Sequence, residues 1–172
     1  MPIARTGPNG LGRRQASSDG DNALTVLAQD HETVAGLLED YEATRGRTRK
    51  AQIAGRISRE LTIHTLIEAE IFYPRIREAF DGDDGMEQLL NAVELEHDNI
   101  MTLVGQLEET LDGNGSDGQT DERIKFLIEY VDRHVEVEEG DLFPQIEKAS
   151  IDFDELGQAL RTRREELQDE LA

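Results

Sequence analysis

Two stretches of the chain decide its fold. They are His64-Thr65-Leu66-Ile67-Glu68-Ala69-Glu70-Ile71-Phe72-Tyr73-Pro74 and His134-Val135-Glu136-Val137-Glu138-Glu139-Gly140-Asp141-Leu142-Phe143-Pro144. Each has a Glu four residues after the His and a Pro ten residues after it. Side chains four apart lie one turn apart on the same helix face, so each stretch sets an imidazole beside a carboxylate. The two other histidines, His31 and His97, each lie upstream of one stretch. Each sits between acidic neighbours, in Asp30-His31-Glu32 and Glu96-His97-Asp98. The chain therefore reads as a weak two-fold repeat.

Outward from these stretches, apolar residues recur at helical spacing. The first helix presents Leu24, Leu27, His31, Val34, Leu38 and Tyr41 inward, and Asp21 or Asn22 can cap it. The second presents Ile53, Ile57, Leu61, His64, Glu68 and Ile71. The third, from about Met86 to Leu111, presents Leu90, Val93, His97, Ile100 or Met101, Val104 and Leu107. The fourth, from about Thr120 to Ala149, presents Ile124, Leu127, Tyr130 or Val131, His134, Glu138 and Leu142. Pro74 and Pro144 fall inside helical patterns, and each predicts a kink.

Turns are expected around Gly46, over Asp81-Gly82-Asp83-Asp84-Gly85, and over Asp112-Gly113-Asn114-Gly115-Ser116-Asp117-Gly118. The last has a superficial likeness to a calcium loop, but Asp117 stands where that loop needs Gly and Arg123 where it needs Glu. Asp152-x-x-Glu155 starts a short fifth helix with a stripe of Leu156, Leu160 and Leu167, expected to lie on the bundle as a lid, with a dimer contact as the alternative. The fold class is all-α: an antiparallel up-down-up-down four-helix bundle with a fifth C-terminal helix. Residues 1–20 read as a disordered arm, 21–149 as the bundle and 150–172 as the packing helix.

The chain has 18 basic and 38 acidic residues, a formal charge of −20. Such a surface repels nucleic acid and anionic membranes as main partners. With no Cys there is no disulfide, thiolate metal site or Cys nucleophile. No apolar run is long enough to span a bilayer. The first twenty residues lack the apolar core of a secretory signal, so a cytoplasmic location is expected.

All four histidines fall on inward stripes, one per helix, together with Glu68 and Glu138. One His on an apolar face is usually a satisfied core residue, and one His-x-x-x-Glu is often a local ion pair. Six such groups together are costly to bury unless a cation satisfies them. No Lys or Arg falls on the stripes around them. Imidazole with carboxylate suits iron, zinc, copper or nickel. Six donors exceed the four of a structural zinc, whereas two metals bridged by two carboxylates use them all.

The order His, His-x-x-x-Glu, His, His-x-x-x-Glu, with Phe-Tyr-Pro and Leu-Phe-Pro after the pairs, resembles the hemerythrin-like (HHE cation-binding) family over about Asp21 to Ala149. The resemblance implies a non-haem di-iron centre, oxo- and carboxylate-bridged. His31, His64, His97 and His134 would be terminal ligands, and Glu68 and Glu138 the bridges. Oxygen-carrying hemerythrins have two His four apart on the third helix, but here Val93 and Met101 flank His97 at that spacing. They also have His and Asp five apart on the fourth helix, where this chain has His134 and Glu138.

The implied centre is more open, or completed by Tyr130 or Glu60, each one turn before a site His. An open centre favours reaction with O2, peroxide or NO, including catalase-like peroxide decomposition, over oxygen carriage. The alternative is a non-catalytic sensor or store for O2, NO or iron. A ferritin-like oxidase needs Glu-x-x-His on two helices, and only Glu94-x-x-His97 fits. A metal-free helical core is the remaining reading.

Overall fold

A computed structural model describes residues 21–172, and the arm expected over residues 1–20 lies outside the described residues. Four long helices form the bundle: α1 (Ala23–Ala43), α2 (Arg47–Ile67), α4 (Asp84–Glu109) and α5 (Asp117–Val137). Short helices α3 (Tyr73–Ala79) and α6 (Phe143–Ile146) continue α2 and α5, and α7 (Phe153–Glu170) ends the chain. The long helices close into a ring, with α1 on α2, α2 on α4, α4 on α5 and α5 on α1. This is the up-down-up-down bundle expected, with α7 laid over α1 and α2.

Local chemistry sets the helix ends. Asn22 caps α1, its side chain accepting from Thr25 N at 3.0 Å, and Asp83 does the same for α4 through Met86 N. The fourth long helix begins at Asp117, ahead of the Thr120 expected. Ser116 and Gln119 form a reciprocal capping box there, which satisfies two orphan backbone donors and starts the helix early. The chain enters that cap through Gly113, whose φ of 95° only glycine adopts without strain. The stretch 112–118 is thus a helix end and a cap. Asp152 caps α7 through Glu155 N at 3.0 Å.

The kinks expected at Pro74 and Pro144 take a specific form. Wide π-type turns, Glu68–Phe72 and Glu138–Leu142, precede the prolines. The backbone N–H of Tyr73 bonds the carbonyl of Glu68, five residues back, and Phe143 does the same to Glu138. Each wide turn inserts one extra residue and rotates the inward face. Phe72 and Tyr73 are therefore fully buried, whereas Ile71, expected inward, is only half-buried. The prolines then sit in the first turn of α3 and α6, where a missing N–H breaks no helix bond.

The apolar core is divided. One cluster, including Leu27, Ile63, Ile67, Phe72, Ile76, Leu90, Val93 and Leu142, fills the end nearest α7's Leu156 and Leu160. The other, including Val34, Leu38, Ile57, Leu61, Ile100, Leu107, Leu127 and Val131, fills the opposite end. A polar layer of His31, His64, Glu68, His97, His134 and Glu138 lies between them, all buried.

Where α7 crosses the start of α1, the backbones nearly touch. A Cβ on Gly157 would lie 2.7 Å from the Asp21 carbonyl oxygen and 2.8 Å from Ala23 N. Backbone cannot give way as a side-chain tip can, so Gly157→Ala is expected to destabilise the protein by about 1–3 kcal/mol. A melting temperature equal to that of the parent would contradict this packing.

Candidate metal centre

The four imidazoles enter the polar layer from four helices, each ring turned so that Nε2 faces the middle. His31 Nε2 lies 3.2 Å from His64 Nε2, and His97 Nε2 lies 3.4 Å from His134 Nε2. His64 Nε2 and His134 Nε2 are 3.5 Å apart. Glu68 Oε2 reaches His97 Nε2 at 2.8 Å and His64 Nε2 at 3.3 Å, so it touches both pairs. Glu138 Oε2 lies 2.7 Å from His134 Nε2. One donor atom each from His31, His64, Glu68, His134 and Glu138 lie within 4.8 Å of one another. His97 joins this group through Glu68. The structure thus brings all six sequence-selected side chains together.

The outer ring nitrogens explain the orientation. His31 Nδ1 donates to Glu139 Oε1 at 2.6 Å, and His64 Nδ1 to Asp30 Oδ2 at 3.3 Å. His134 Nδ1 faces Glu96 Oε2 at 3.6 Å, beyond hydrogen-bond reach. A carboxylate holding the proton on Nδ1 leaves a lone pair on Nε2, which is the form of a metal-ligating imidazole. The acidic residues flanking His31 and His97 in sequence therefore serve the next helix: Asp30 supports His64 and Glu96 faces His134.

The carboxylates carry the test of fit. Glu68 and Glu138 are 0% exposed, and Oε1 of each has no hydrogen-bond partner. Each such orphan costs about 1–3 kcal/mol in a metal-free protein. Nε2 lone pairs also face one another across the centre. A cation placed among them meets every one of these unmet groups, so the residues present fit a metal.

Without metal the centre is electrically frustrated. Burial pushes the Glu68 carboxyl well above its usual range, and the Glu138 charge beside it adds to this. Burial alone would raise Glu138 too, but His134, the hydrogen bond with Glu68 and His31 together outweigh it and hold that carboxyl low. His134 is correspondingly raised to about 9, because Glu138 and Glu96 more than offset its burial. Burial and the His64 ring lower His31 to about 4. Burial and His134 push His97 well down.

Two supports escape a reading by helical period. Tyr73 is fully buried, and its hydroxyl donates to Glu68 Oε2 at 2.9 Å. The same hydroxyl lies 3.3 Å from both Glu138 Oε2 and His97 Nε2. The wide turn after Glu68 brings it there. In the repeat its counterpart is Phe143, and the counterpart of Glu139 is Ala69. The ligand candidates are thus two-fold related while their supports are not. The second support is basic. The inward stripes hold no cation, but Arg164 arrives from α7 and pairs with Asp30. The basic group behind Asp30 thus comes from a helix outside those stripes.

Two other candidates lie away from the centre. Val131 takes the inward position, and the ring of half-buried Tyr130 has the Arg133 guanidinium 5.5 Å from its centroid. Glu60 pairs with Arg164 at 3.2 Å. Neither joins the cluster of six. Glu94, of the ferritin-like pattern, is held in a fork by Arg77 at 2.7 and 2.8 Å. Val93 is wholly buried in the apolar cluster, and the Met101 sulfur accepts from the Thr65 hydroxyl at 3.2 Å.

The model of the hemerythrin HHE cation-binding domain matches residues 22–146. A solved structure of a hemerythrin HHE cation-binding domain-containing protein from Mycobacterium kansasii superposes with a TM-score of 0.70. It covers 87% of this chain and 89% of that one at 21% identity, a likeness of fold. A protein of Nostoc sp. described as a DNA nickase is 28% identical over 144 residues. The match takes in 83% of this chain but only 39% of that protein's length. No helix among the described residues is long and apolar enough to cross a membrane. With its helical bundle, its buried His and Glu cluster and a family match over most of its length, this chain belongs to the hemerythrin HHE cation-binding domain family.

Proposed function

We propose that the centre holds two irons and reacts with small oxidants, peroxide first among them. The observation that carries this is the pair of unpartnered oxygens, Glu68 Oε1 and Glu138 Oε1, buried among four inward Nε2 atoms. Glu68 and Glu138 would hold the ions through both oxygens, which would account for both orphans. The close ring pairs, His31 with His64 and His97 with His134, would each hold one ion. Bound iron would supply the redox chemistry with peroxide, O2 or NO.

The chain's own residues set the conditions for that chemistry. The apolar clusters above and below the polar layer exclude bulk water. Glu139 and Asp30 orient two of the rings, and Glu96 faces a third. The Tyr73 hydroxyl donates to Glu68 Oε2 and is the nearest phenol proton to the centre. Val93 and Met101 leave the side of His97 without a further imidazole, which favours reaction with an oxidant over reversible carriage. DNA nicking is not carried over from the relative, because a chain of charge −20 repels a polyanion.

The test is to load the purified protein with iron, record its optical spectrum, and add hydrogen peroxide. Two irons per chain, a charge-transfer band, and disproportionation of peroxide to water and O2 are expected. His134→Ala should abolish both the band and the turnover. A spectral response to O2 or NO with no peroxide consumed would make the protein a sensor or store instead.

A further inference from the structure

A chain of charges, half-buried at its outer end and buried at Asp30, runs from α7 into the centre. Arg164 lies on α7, beyond the family match at residues 22–146. Its guanidinium pairs with Asp30 Oδ1 on one side and with Glu60 Oε2, at 3.2 Å, on the other. Asp30 is 7% exposed, and its second oxygen faces His64 Nδ1 at 3.3 Å. The two carboxylate oxygens of Asp30 are therefore divided, one for the arginine and one for the imidazole. The pair lines a groove of about 330 Å³ between α1 and α7, together with Gln29, Arg161 and Gln168.

We propose that Arg164 is a positioning residue for the metal centre, acting through Asp30 on His64, so that the C-terminal helix is a working part of the site. This rests on the metal-binding reading given above. The physical reason is directional. A buried carboxylate with one cation beside it is held in a single rotamer, and that rotamer aims the other oxygen at His64 Nδ1. Without the guanidinium, Asp30 is free to turn toward the groove and take water, and His64 loses the acceptor that keeps its Nε2 lone pair pointed inward. His134 has Glu96 at a longer distance and no arginine behind it, so the effect belongs to one half of the centre.

Helix α7 does not depend on Arg164 for its place. Leu156, Leu160 and Leu167 are buried, Arg161 bonds the Asp21 carbonyl, and Arg59 bonds the Gln168 carbonyl. Arg164→Gln should therefore fold, and Arg161→Gln provides a control that loosens the same helix without touching Asp30. The experiment loads wild type, Arg164→Gln, Arg164→Lys, Asp30→Asn and Arg161→Gln with iron. It follows release to a strong chelator, with iron content, optical spectrum and thermal melting of each.

Arg164→Gln and Asp30→Asn are expected to release one of their two irons about ten-fold or more faster than wild type. Arg164→Lys should recover part of the loss, and Arg161→Gln should melt lower yet release iron at the wild-type rate. Release from Arg164→Gln at the wild-type rate would overturn the inference, as would equal acceleration by Arg161→Gln. A wild-type protein that takes up no iron would instead remove the metal-binding reading, and the inference with it.

Discussion

Glu68→Leu is expected to make the metal-free protein more stable while removing its capacity to hold two irons. Glu68 is 0% exposed, one of its oxygens has no partner, and burial beside Glu138 drives it toward its neutral form. Leucine has similar bulk and no polar atom to desolvate. With burial driving Glu68 toward its neutral form, its replacement strands no full ion partner, and removing an unsatisfied buried polar atom recovers about 1–3 kcal/mol. The Tyr73 hydroxyl loses its acceptor but has Glu138 Oε2 at 3.3 Å as another. The metal-free variant should melt several degrees above the parent. Its iron content should fall to one per chain or less, because the proposed bridge would be gone. A lower melting temperature together with unchanged iron content would mean that Glu68 is a structural core residue.

Iron should raise the melting temperature of the parent by about 8–16 °C when free iron exceeds its dissociation constant a thousand-fold. That excess corresponds to about 4 kcal/mol of linkage, and 1 kcal/mol shifts a chain of this size by about 2–4 °C. A chelator should reverse the shift. The pH dependence carries its own sign. In the metal-free protein His31 has its pKa lowered to about 4, so the unfolded chain binds more protons between about pH 6.5 and pH 4, and stability falls as pH falls through that window. His134, raised to about 9, works in reverse: its contribution is present below about pH 6.5 and is lost as pH rises toward 9. Metal-free protein should thus have its best stability near pH 6.5 as far as these two rings decide it. Iron should flatten the alkaline limb, since a ligated His134 no longer titrates there. Scanning calorimetry across pH 5–9, with and without iron, checks both statements, and identical profiles would contradict them.

The bundle and its polar layer were legible because period alone carries them. Apolar residues at three- and four-residue steps put His31, His64, His97 and His134 on inward faces, and the i, i+4 rule placed Glu68 and Glu138 beside two of them. The structure brings these six together, and the family match covers the same helices. What period could not see are the departures from it. Tyr73 was hidden because a 3.6-residue turn sends position 73 elsewhere, whereas the wide turn at Glu68–Phe72 brings it back to the centre. A sign of it was present in the sequence: Tyr73 and Phe143 hold the same place in the repeat and differ by one hydroxyl.

Asp30 and Glu96 were visible as acidic flanks of their own histidines, but their partners lie on the neighbouring helices, which only tertiary packing reveals. Arg164 lay furthest from reach. It is 134 residues from Asp30 in sequence, and nothing on α7 but its leucine stripe marked that helix as facing the bundle. Tyr130 and Glu60 stand apart from the six-residue cluster for the converse reason. Their register is right, but Val131 and Arg164 claim the space and the charge.

The most direct test of the account is metal analysis of the protein after anaerobic loading with ferrous iron, exposure to air and removal of unbound metal. Two irons per chain are expected in the parent, and no bound iron is expected in a His64→Ala, His134→Ala double variant that still folds to a helical bundle. One tightly held zinc in place of the irons, or a parent that retains no metal at all, would contradict it.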